Sequence, residues 1–320
     1  MLILNEETIT QLTDPIELTD KMEEAMLSYA NGKYVMPDRA HMDFDGNTLL
    51  MMPSACCNFF STKLVSLFPN NPKNGDPVLF GTVILNDGKN GKPIAMLNGA
   101  KLTAVRTAAV GSVGVRHTSP ENASTLGLIG AGVQGFQQIL FACKNRPIKE
   151  VYVYDAFASK LDEFIKSLQI HLPDVKLNIA QSPTEICKKT EVIITATNAT
   201  SPVLPDDQQM LKGKSIVAIG SYKPEMVELP NSLYPLLDNY FIDVDMAMEE
   251  SGDLIHPINN GLVNKNDVHL LSEVINGNIK IDPKATSLYK SVGMALFDLF
   301  AASYLYSKAQ EKGMGQEVNF

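Results

Sequence analysis

The sequence has few cysteines, a deficit of basic side chains and no evident metal-binding pattern. Its four cysteines, Cys56, Cys57, Cys143 and Cys187, form no CxxC pair and no regular spacing, which argues against a zinc site or a disulfide framework. The five histidines are scattered, and we expect no metal site. The formal net charge of −9 disfavours a nucleic acid as the main partner, but it permits a small anion in a locally basic pocket.

Long hydrophobic runs are also missing. The most apolar helical stretch, "SVGMALFDLFAASYLYS", contains Asp298 and is too short and too polar to cross a bilayer. The first residues, "MLILNEETIT", have no basic region and reach acidic residues at once, which predicts that they are not a signal peptide. We therefore expect a protein of the reducing cytoplasm that has no membrane partner.

What is present is typical of a packed globular protein. The chain has 320 residues, of which 45% are hydrophobic and 20% charged, and this length favours two domains. A first amphipathic helix is predicted over 15–31, followed by short β-like runs that turn signals separate. An alanine-rich helix, "KLTAVRTAAVG", comes next. This region predicts an α+β domain with antiparallel character, over residues 1–118.

After residue 118 the pattern changes. Apolar runs of four to six residues alternate with helical stretches, beginning with "TLGLIG", "VYVYD" and "VKLNIA". Continuous β-branched runs indicate strands buried on both faces, so we predict a doubly wound parallel α/β domain over 119–288. A long apolar helix is predicted from about Ser287, and its residues 289–320 are expected to return to the first domain. The fold class is therefore α/β, with a second domain built from both chain ends.

A glycine pattern opens the second domain. "TLGLIGAGVQGFQQ" contains Gly130, Gly132 and Gly135 as GxGxxG, which follows an apolar strand and begins a helix. In that context the first glycine permits a tight turn, the second allows the backbone to approach a pyrophosphate, and the third lets helix and strand pack closely. The helix N-terminus offers free N–H groups to the phosphates. This pattern predicts a Rossmann dinucleotide site.

The nucleotide preference is predicted from the end of the next strand. Asp155 lies about 20 residues after the glycine pattern, where a carboxylate accepts hydrogen bonds from the ribose hydroxyls and repels the 2′-phosphate of NADP. Lys160 is near, but no arginine follows. We predict that the cofactor is NAD(H), with NADP(H) as the alternative. The other interpretation is that Asp155 only caps the next helix.

Three cations upstream of the second domain stand in apolar or small-residue stretches. They are Arg39, Lys63 and Arg106, and a buried cation has to be paired. One interpretation is that each pairs with a nearby aspartate such as Asp38 or Asp43. The other is that they converge on a substrate carboxylate, which an arginine fork grips through two hydrogen bonds. The residues alone do not choose between these.

The chain resembles the ornithine cyclodeaminase/μ-crystallin family. The matching stretches include "MPDRAHM", "STKLVSLFPNN", "GTVILNDGKNGKPIAMLNGAKLTAVRTAAVG", "LGLIGAGVQG", "ATNATSPVL", "AIGSYKPEMVELP" and "KSVGMALFD", in family order over most of the length. The resemblance implies a Rossmann domain inserted in a substrate and dimerisation domain, and so a homodimer.

The resemblance also implies roles for individual residues. Arg39, Lys63 and Arg106 would meet the carboxylate of an amino or imino acid, and Val292 would line the substrate. Arg106 and Thr107 would also lie near the cofactor phosphates. The remaining residues implied to line the cofactor are Thr82, Gly130, Gly132, Val133, Gln134, Gly135, Asp155, Thr197, Ser221 and Ser291.

One departure from the family bears on the reaction. True cyclodeaminases have an aspartate after the fifth Rossmann strand, and here the corresponding residue is Tyr222, beside Ser221 and Lys223. Family members that lack this aspartate tend to be reductases of cyclic imino acids. We therefore predict an NAD(P)H-dependent reduction of Δ1-pyrroline-2-carboxylate or Δ1-piperideine-2-carboxylate to proline or pipecolate, in which Lys63 or Tyr222 assists the proton transfer.

Three alternatives stay open at this point. An alanine-type amino acid dehydrogenase would use the same hydride chemistry on a free imine. An ornithine cyclodeaminase would release ammonia without a net change of NADH. A non-catalytic, crystallin-like ligand binder would bind the nucleotide without turnover.

Overall fold

The structure is a computed structural model, and it describes residues 1–157, 159 and 161–319. Strands and helices alternate irregularly at first and regularly after residue 124. In chain order they are β1 (Leu2–Leu4), α1 (Glu6–Leu12), α2 (Pro15–Ala30), β2 (Ala40–Phe44), β3 (Asn47–Cys56), β4 (Phe59–Leu67), β5 (Leu79–Asp87), β6 (Pro93–Asn98), α3 (Gly99–Thr118), β7 (Thr125–Ile129), α4 (Val133–Asn145), β8 (Glu150–Tyr154), α5 (Leu161–His171), β9 (Lys176–Ile179), α6 (Pro183–Lys189), β10 (Val192–Thr195), α7 (Gln208–Leu211), β11 (Ser215–Ala218), β12 (Asn239–Ile242), α8 (Ala247–Glu250), α9 (Gly252–Asn259), β13 (Val268–Leu270), α10 (Ser272–Ile275), β14 (Ser287–Lys290), α11 (Ala295–Lys312) and β15 (Gln316–Glu317).

The chain divides into two compact units. The first consists of Met1–Arg106 and Met294–Phe320, and the second of Thr107–Gly293. The division falls within α3 and just after β14, whereas the boundaries predicted from the sequence lie at residues 118 and 288. Both chain ends belong to the first unit.

The first unit is a seven-stranded sheet with helices packed on it. The strand order is β15-β1-β6-β5-β4-β3-β2, in which β2 to β6 form an antiparallel meander. Helix α2 begins after Asp14, whose side chain accepts hydrogen bonds from the first-turn N–H groups, and Pro15 occupies its first turn. Helix α11 packs against α2 and against strands β3 to β5. The predicted α+β character is confirmed.

Side chains of β3 and β4 alternate between the two faces of this sheet. In β4, Ser61, Lys63 and Val65 are buried, while their neighbours are more exposed. In β3, Ser54 lies on the same buried face, because its hydroxyl donates to the backbone oxygen of Ala295 at the start of α11. Lys63 therefore points into the layer between the sheet and α11.

The second unit is a parallel eight-stranded sheet. Its strand order is β13-β12-β14-β11-β10-β7-β8-β9, and each recorded pair of neighbours is parallel. Strands β10, β11 and β14 are buried throughout, as expected for a sheet covered on both faces. The doubly wound architecture predicted from the apolar runs is confirmed, and the sequence interpretation missed β13 and β14.

The helix start predicted near the end of the chain was wrong. We predicted a helix from about Ser287, but Ser287–Lys290 is strand β14, paired between β11 and β12, and helix α11 begins only at Ala295. Pairing on both sides satisfies the backbone of this short stretch, and this tertiary context overrides its helical pattern. None of the described helices, including α11, is long and apolar enough to cross a membrane.

Candidate functional site

Two of the three glycines of the GxGxxG pattern, Gly130 and Gly135, occupy positions that exclude a side chain. Gly130 has a φ of 105°, and a Cβ there would lie 2.6 Å from the backbone oxygen of Ala196. A Cβ at Gly135 would collide with the backbone oxygen of Gly130. Gly132 faces open space, because nothing lies within 4 Å of a Cβ built on it. The three glycines thus provide the turn, the close packing and the open approach that a pyrophosphate requires.

Helix α4 begins at this loop without a side-chain cap. Its N-cap is Gly132, whose carbonyl oxygen accepts a hydrogen bond from the N–H of Phe136 at 3.0 Å. The N–H groups of the first turn, before Phe136, have no acceptor within the helix and are left for another acceptor. Val133, the first residue of this turn, is 73% exposed. Gln134 carries a buried side-chain oxygen with no hydrogen-bond partner among the described residues. These features fit the phosphates of a dinucleotide.

Asp155 follows β8, the strand beside β7. One carboxylate oxygen accepts a hydrogen bond from the N–H of Ala131, in the glycine loop, at 2.7 Å, and the other accepts one from the N–H of Phe157 at 2.8 Å. The carboxylate is therefore fixed beside the loop, and each oxygen retains a lone pair for a further donor. Lys160, the nearby cation noted in the sequence, lies outside the described residues.

Three further residues predicted to line the cofactor follow β10, β11 and β14. They are Thr197, Ser221 and Ser291, and the parallel strands bring them to the same edge of the sheet as the glycine loop. Each hydroxyl already donates a hydrogen bond: Thr197 to Glu228 at 2.8 Å, Ser291 to Asp243 at 2.6 Å, and Ser221 to a backbone oxygen at 2.7 Å. The hydroxyls are thus oriented by partners within the second unit.

The first unit contains a buried ion cluster. Lys63 on β4 and Arg106 on α3 contact the same carboxylate, that of Asp298 on α11. The Lys63 Nζ lies 2.7 Å from one oxygen, and the Arg106 Nε lies 2.9 Å from the other. Asp298 is fully buried, and the other two side chains are nearly so. Two cations share one carboxylate, so these three side chains carry one net positive charge, which favours binding of a further anion.

Burial lowers the pKa of Lys63 to about 8. Loss of hydration is the main cause, the positive charges of Arg106 and Arg39 add to it, and Asp298 opposes it. The charge of Arg39 thus reaches Lys63, although Arg39 contributes least to the lowered pKa. The contact of Arg106 with Asp298 uses Nε, which leaves the Nη1–Nη2 side of the guanidinium for a second anion.

The aspartates suggested as partners of Lys63 and Arg106 were wrong. Neither Asp38 nor Asp43 pairs with Lys63 or Arg106, because Asp43 lies on the exposed strand β2, where it accepts a hydrogen bond from Thr48. Asp298 takes this role instead. The sequence interpretation used Asp298 only to exclude a membrane span, although a carboxylate in the middle of the apolar stretch "ALFDLFAA" is itself a signal of a buried partner.

Thr82 does not share a face with the cluster. On β5 it is adjacent to Val83, which pairs directly with Lys63 across the β4–β5 ladder, so Thr82 points to the opposite side of the sheet. The predicted cofactor contact of Thr82 and the predicted substrate contact of Lys63 thus lie on different faces of the first unit.

The other predicted residues lie in the second unit. Thr107, on α3, accepts a hydrogen bond from Gln138 on α4 through its backbone oxygen at 3.0 Å. Val292 follows β14 and is half-buried. Tyr222 follows β11 and is 47% exposed, with the ammonium group of Lys223 6.0 Å from its ring centre. No cluster of three or more His, Cys, Asp or Glu side chains that could hold a metal ion occurs among the described residues.

Comparison with known proteins identifies the family. Residues 1–313 match the model of the ornithine cyclodeaminase/mu-crystallin family. The chain belongs to this family. The resemblance read from the motifs is therefore confirmed over nearly the whole length of this family member.

Individual relatives match this chain from end to end. A Δ1-pyrroline-2-carboxylate reductase of Bacillus cereus is 32% identical, and the match covers 100% of both chains. The structure of Thermococcus litoralis Δ1-pyrroline-2-carboxylate reductase in complex with NADH and L-proline is 29% identical, with a TM-score of 0.91 over 99% of this chain and 100% of that one. An archaeal alanine dehydrogenase dimer with bound NAD is 26% identical, with a TM-score of 0.90 over 100% of this chain and 99% of that one.

Proposed function

We propose that the chain is an NADH-dependent reductase of a cyclic imino acid, which converts Δ1-pyrroline-2-carboxylate or Δ1-piperideine-2-carboxylate to proline or pipecolate. The observation that carries the proposal is the full-length similarity to the Bacillus cereus enzyme of that name. The glycine loop and the buried cation cluster supply the two kinds of anion site that such a reaction needs.

The residues of the chain bind and orient the reactants. NADH supplies the hydride when bound. The N–H groups at the start of α4 hold its pyrophosphate, and Asp155 accepts hydrogen bonds from its ribose. Arg106 and Lys63 grip the substrate carboxylate, whose negative charge balances the net positive charge of the cluster.

A proton source is needed because the imine is more reactive when its nitrogen is protonated. Lys63, with a pKa of about 8, is mostly protonated at neutral pH and yields its proton more readily than an ordinary lysine. Tyr222 is the alternative donor. It is half-exposed. Its phenol group, unlike the aspartate that cyclodeaminases have at this position, is better suited to donate a hydrogen bond than to remove a proton from an amine.

A homodimer is the proposed assembly. The face of the first sheet opposite to Lys63 presents exposed apolar side chains, among them Phe60 and Phe80 on β4 and β5, and Phe44 at the end of β2 is 80% exposed. A second copy of the chain would cover this face, in keeping with the archaeal alanine dehydrogenase that is described as a dimer.

A cytoplasmic location is proposed because the four cysteines are unpaired.

An alanine-type dehydrogenase is the second candidate, and the similarity to the archaeal alanine dehydrogenase favours it. A panel assay separates the candidates: purified protein with NADH or NADPH is given the two cyclic imino acids, pyruvate with ammonia, or ornithine with NAD. We expect oxidation of NADH with a cyclic imino acid only. Turnover with pyruvate and ammonia would favour the second candidate, and ammonia release from ornithine would favour a cyclodeaminase. Nucleotide binding without any turnover would favour a ligand binder.

Asp155 is expected to set the nucleotide preference. Wild type should use NADH with higher kcat/KM than NADPH, because the carboxylate would face the 2′-phosphate at close range. Asp155→Ser should reduce that discrimination, mainly by improving kcat/KM with NADPH. Steady-state kinetics with both nucleotides measures it, and equal preference in the wild type would contradict the assigned role.

The pKa of Lys63 predicts an alkaline limb. The protonated amine of Lys63 binds the substrate carboxylate. We therefore expect kcat/KM for the imino acid to fall as pH rises through about 8, the pKa of Lys63 in the free enzyme. Lys63→Arg should lack this limb, since a guanidinium stays protonated over that range. If the limb persists in Lys63→Arg, the titrating group is the substrate imine or another side chain.

A further inference from the structure

Glu228 is a fully buried carboxylate that joins two loops at the carboxyl edge of the second sheet. One of its oxygens accepts hydrogen bonds from the N–H and the hydroxyl of Thr197, at 2.7 and 2.8 Å. The other accepts from the hydroxyl of Thr195 at 2.9 Å and from the N–H groups of Gly220 and Ser221 at 2.8 and 3.3 Å. Five donors, one at the end of β10 and four in the segments after β10 and β11, therefore converge on one side chain.

Close packing leaves these loops little freedom around Glu228. A Cβ at Gly220 would lie 2.5 Å from a carboxylate oxygen of Glu228 and would also collide with the backbone oxygen of Thr197. Glu228 is itself held by Asp253, which accepts hydrogen bonds from the N–H groups of Glu228 and Leu229 at 2.8 and 3.0 Å. The carboxylate is thus a fixed bracket between two loops, with its own backbone anchored.

The strand order indicates which part of a dinucleotide these loops would face. The pyrophosphate site follows β7, and Asp155, the ribose ligand, follows β8 on one side of it. A dinucleotide spans the sheet edge from its adenosine half through its pyrophosphate. Its other half therefore extends to the opposite side of β7, where β10 and β11 end.

We propose that Glu228 is a positioning residue for the nicotinamide half of the cofactor, acting through the loops that contain Thr197 and Ser221. The proposal rests on the proposed function, because it assumes that NADH binds to the second unit. Glu228 does not touch the cofactor in this scheme. It fixes the backbone and the hydroxyl that do, so that the reactive ring is held in one orientation.

Glu228→Gln tests the proposal with little change of shape. The amide replaces one acceptor oxygen by an NH2 group, which meets N–H or O–H donors on either side, so at least one loop has to move. We expect the Kd for NADH, measured from the change of NADH fluorescence on binding, to rise about tenfold or more. We also expect kcat at saturating NADH to fall. The KM for the imino acid should change much less, because Lys63 and Arg106, the residues proposed to bind its carboxylate, belong to the first unit.

Glu191→Gln is the matched control. Glu191 also accepts several hydrogen bonds, from the N–H and hydroxyl groups of Ser124 and Thr125, but it precedes β10 and so lies at the amino edge of the same sheet. This variant is expected to lower the melting temperature and leave the Kd for NADH unchanged. Equal Kd changes in both variants, or none in Glu228→Gln, would make Glu228 merely structural and overturn the inference.

Thr195→Val decides the matter if Glu228→Gln does not fold. It removes one donor to Glu228 within strand β10 and keeps the shape of the side chain. We expect a smaller rise in the Kd for NADH, of about two- to fivefold; an unchanged Kd would reject the positioning role. If the wild type itself binds no NADH, the proposed function fails, and this outcome differs from wild-type binding that Glu228→Gln leaves intact.

Discussion

Arg106→Ala should lower kcat/KM for the cyclic imino acid by about a hundredfold or more, and Lys63→Ala by a similar factor. Each change removes one charge-assisted contact to the substrate carboxylate in a buried site, which corresponds to about 3 kcal/mol of transition-state stabilisation. Both side chains are nearly buried and both contact Asp298, so neither can be replaced by a mobile surface cation. Steady-state kinetics at saturating NADH measures the effect.

Lys101→Ala is the control for this prediction. Lys101 lies one and a half turns before Arg106 on α3 and pairs loosely with the exposed Glu6, at 4.0 Å. Its removal should leave kcat/KM near the wild-type value. Arg106→Lys tests the fork: it retains the charge but loses bidentate geometry, so it should recover only part of the activity. Near-wild-type efficiency in both Arg106→Ala and Lys63→Ala would mean that these cations serve only to pair with Asp298.

The parts of the molecule that depend on local sequence could be predicted. The glycine loop is set by residues within one strand, one turn and one helix, so the roles of Gly130, Gly132 and Gly135 follow from their spacing. The parallel sheet was predicted for the same reason, because continuous β-branched runs report burial on both faces without knowledge of the partner strand. Asp155 belongs to this group, since its position relative to the loop is fixed by one strand–helix–strand unit.

Features that depend on distant pairing could not be predicted. Lys63 and Arg106 find their partner 235 and 192 residues further along the chain, in α11, and no spacing rule connects these positions. Strand β14 has the pattern of a helix start, and only its insertion between β11 and β12 makes it a strand. The opposite orientation of Thr82 and Lys63 follows from the register of β4 and β5, which the sequence leaves open.

Asp298→Asn should cause the largest loss of stability of any single change considered. The substitution leaves Lys63 and Arg106 buried without the carboxylate that both contact, and breaking a buried ion pair in this way costs about 3–5 kcal/mol. Urea unfolding of the wild type and the variant at pH 7 measures the difference. Glu17→Gln is the control, because Glu17 pairs with Lys308 on the same helix α11, at 2.8 Å, in a partly exposed position. Its loss should cost less than about 1 kcal/mol.

The pH dependence of this loss identifies its cause. Asp298 raises the pKa of Lys63, so its removal should push that pKa further below about 8, while the unfolded value stays near 10.5. Between the folded and unfolded pKa values the unfolded chain binds more protons, so stability rises with pH over that window. The window opens at a lower pH in Asp298→Asn than in the wild type, and the variant therefore regains stability first. The difference between the two proteins should shrink as pH rises from 7 to 9. A loss that is the same at both pH values would assign the effect to Arg106 or to packing, and a loss no greater than that of Glu17→Gln would show that the buried cluster does not depend on Asp298.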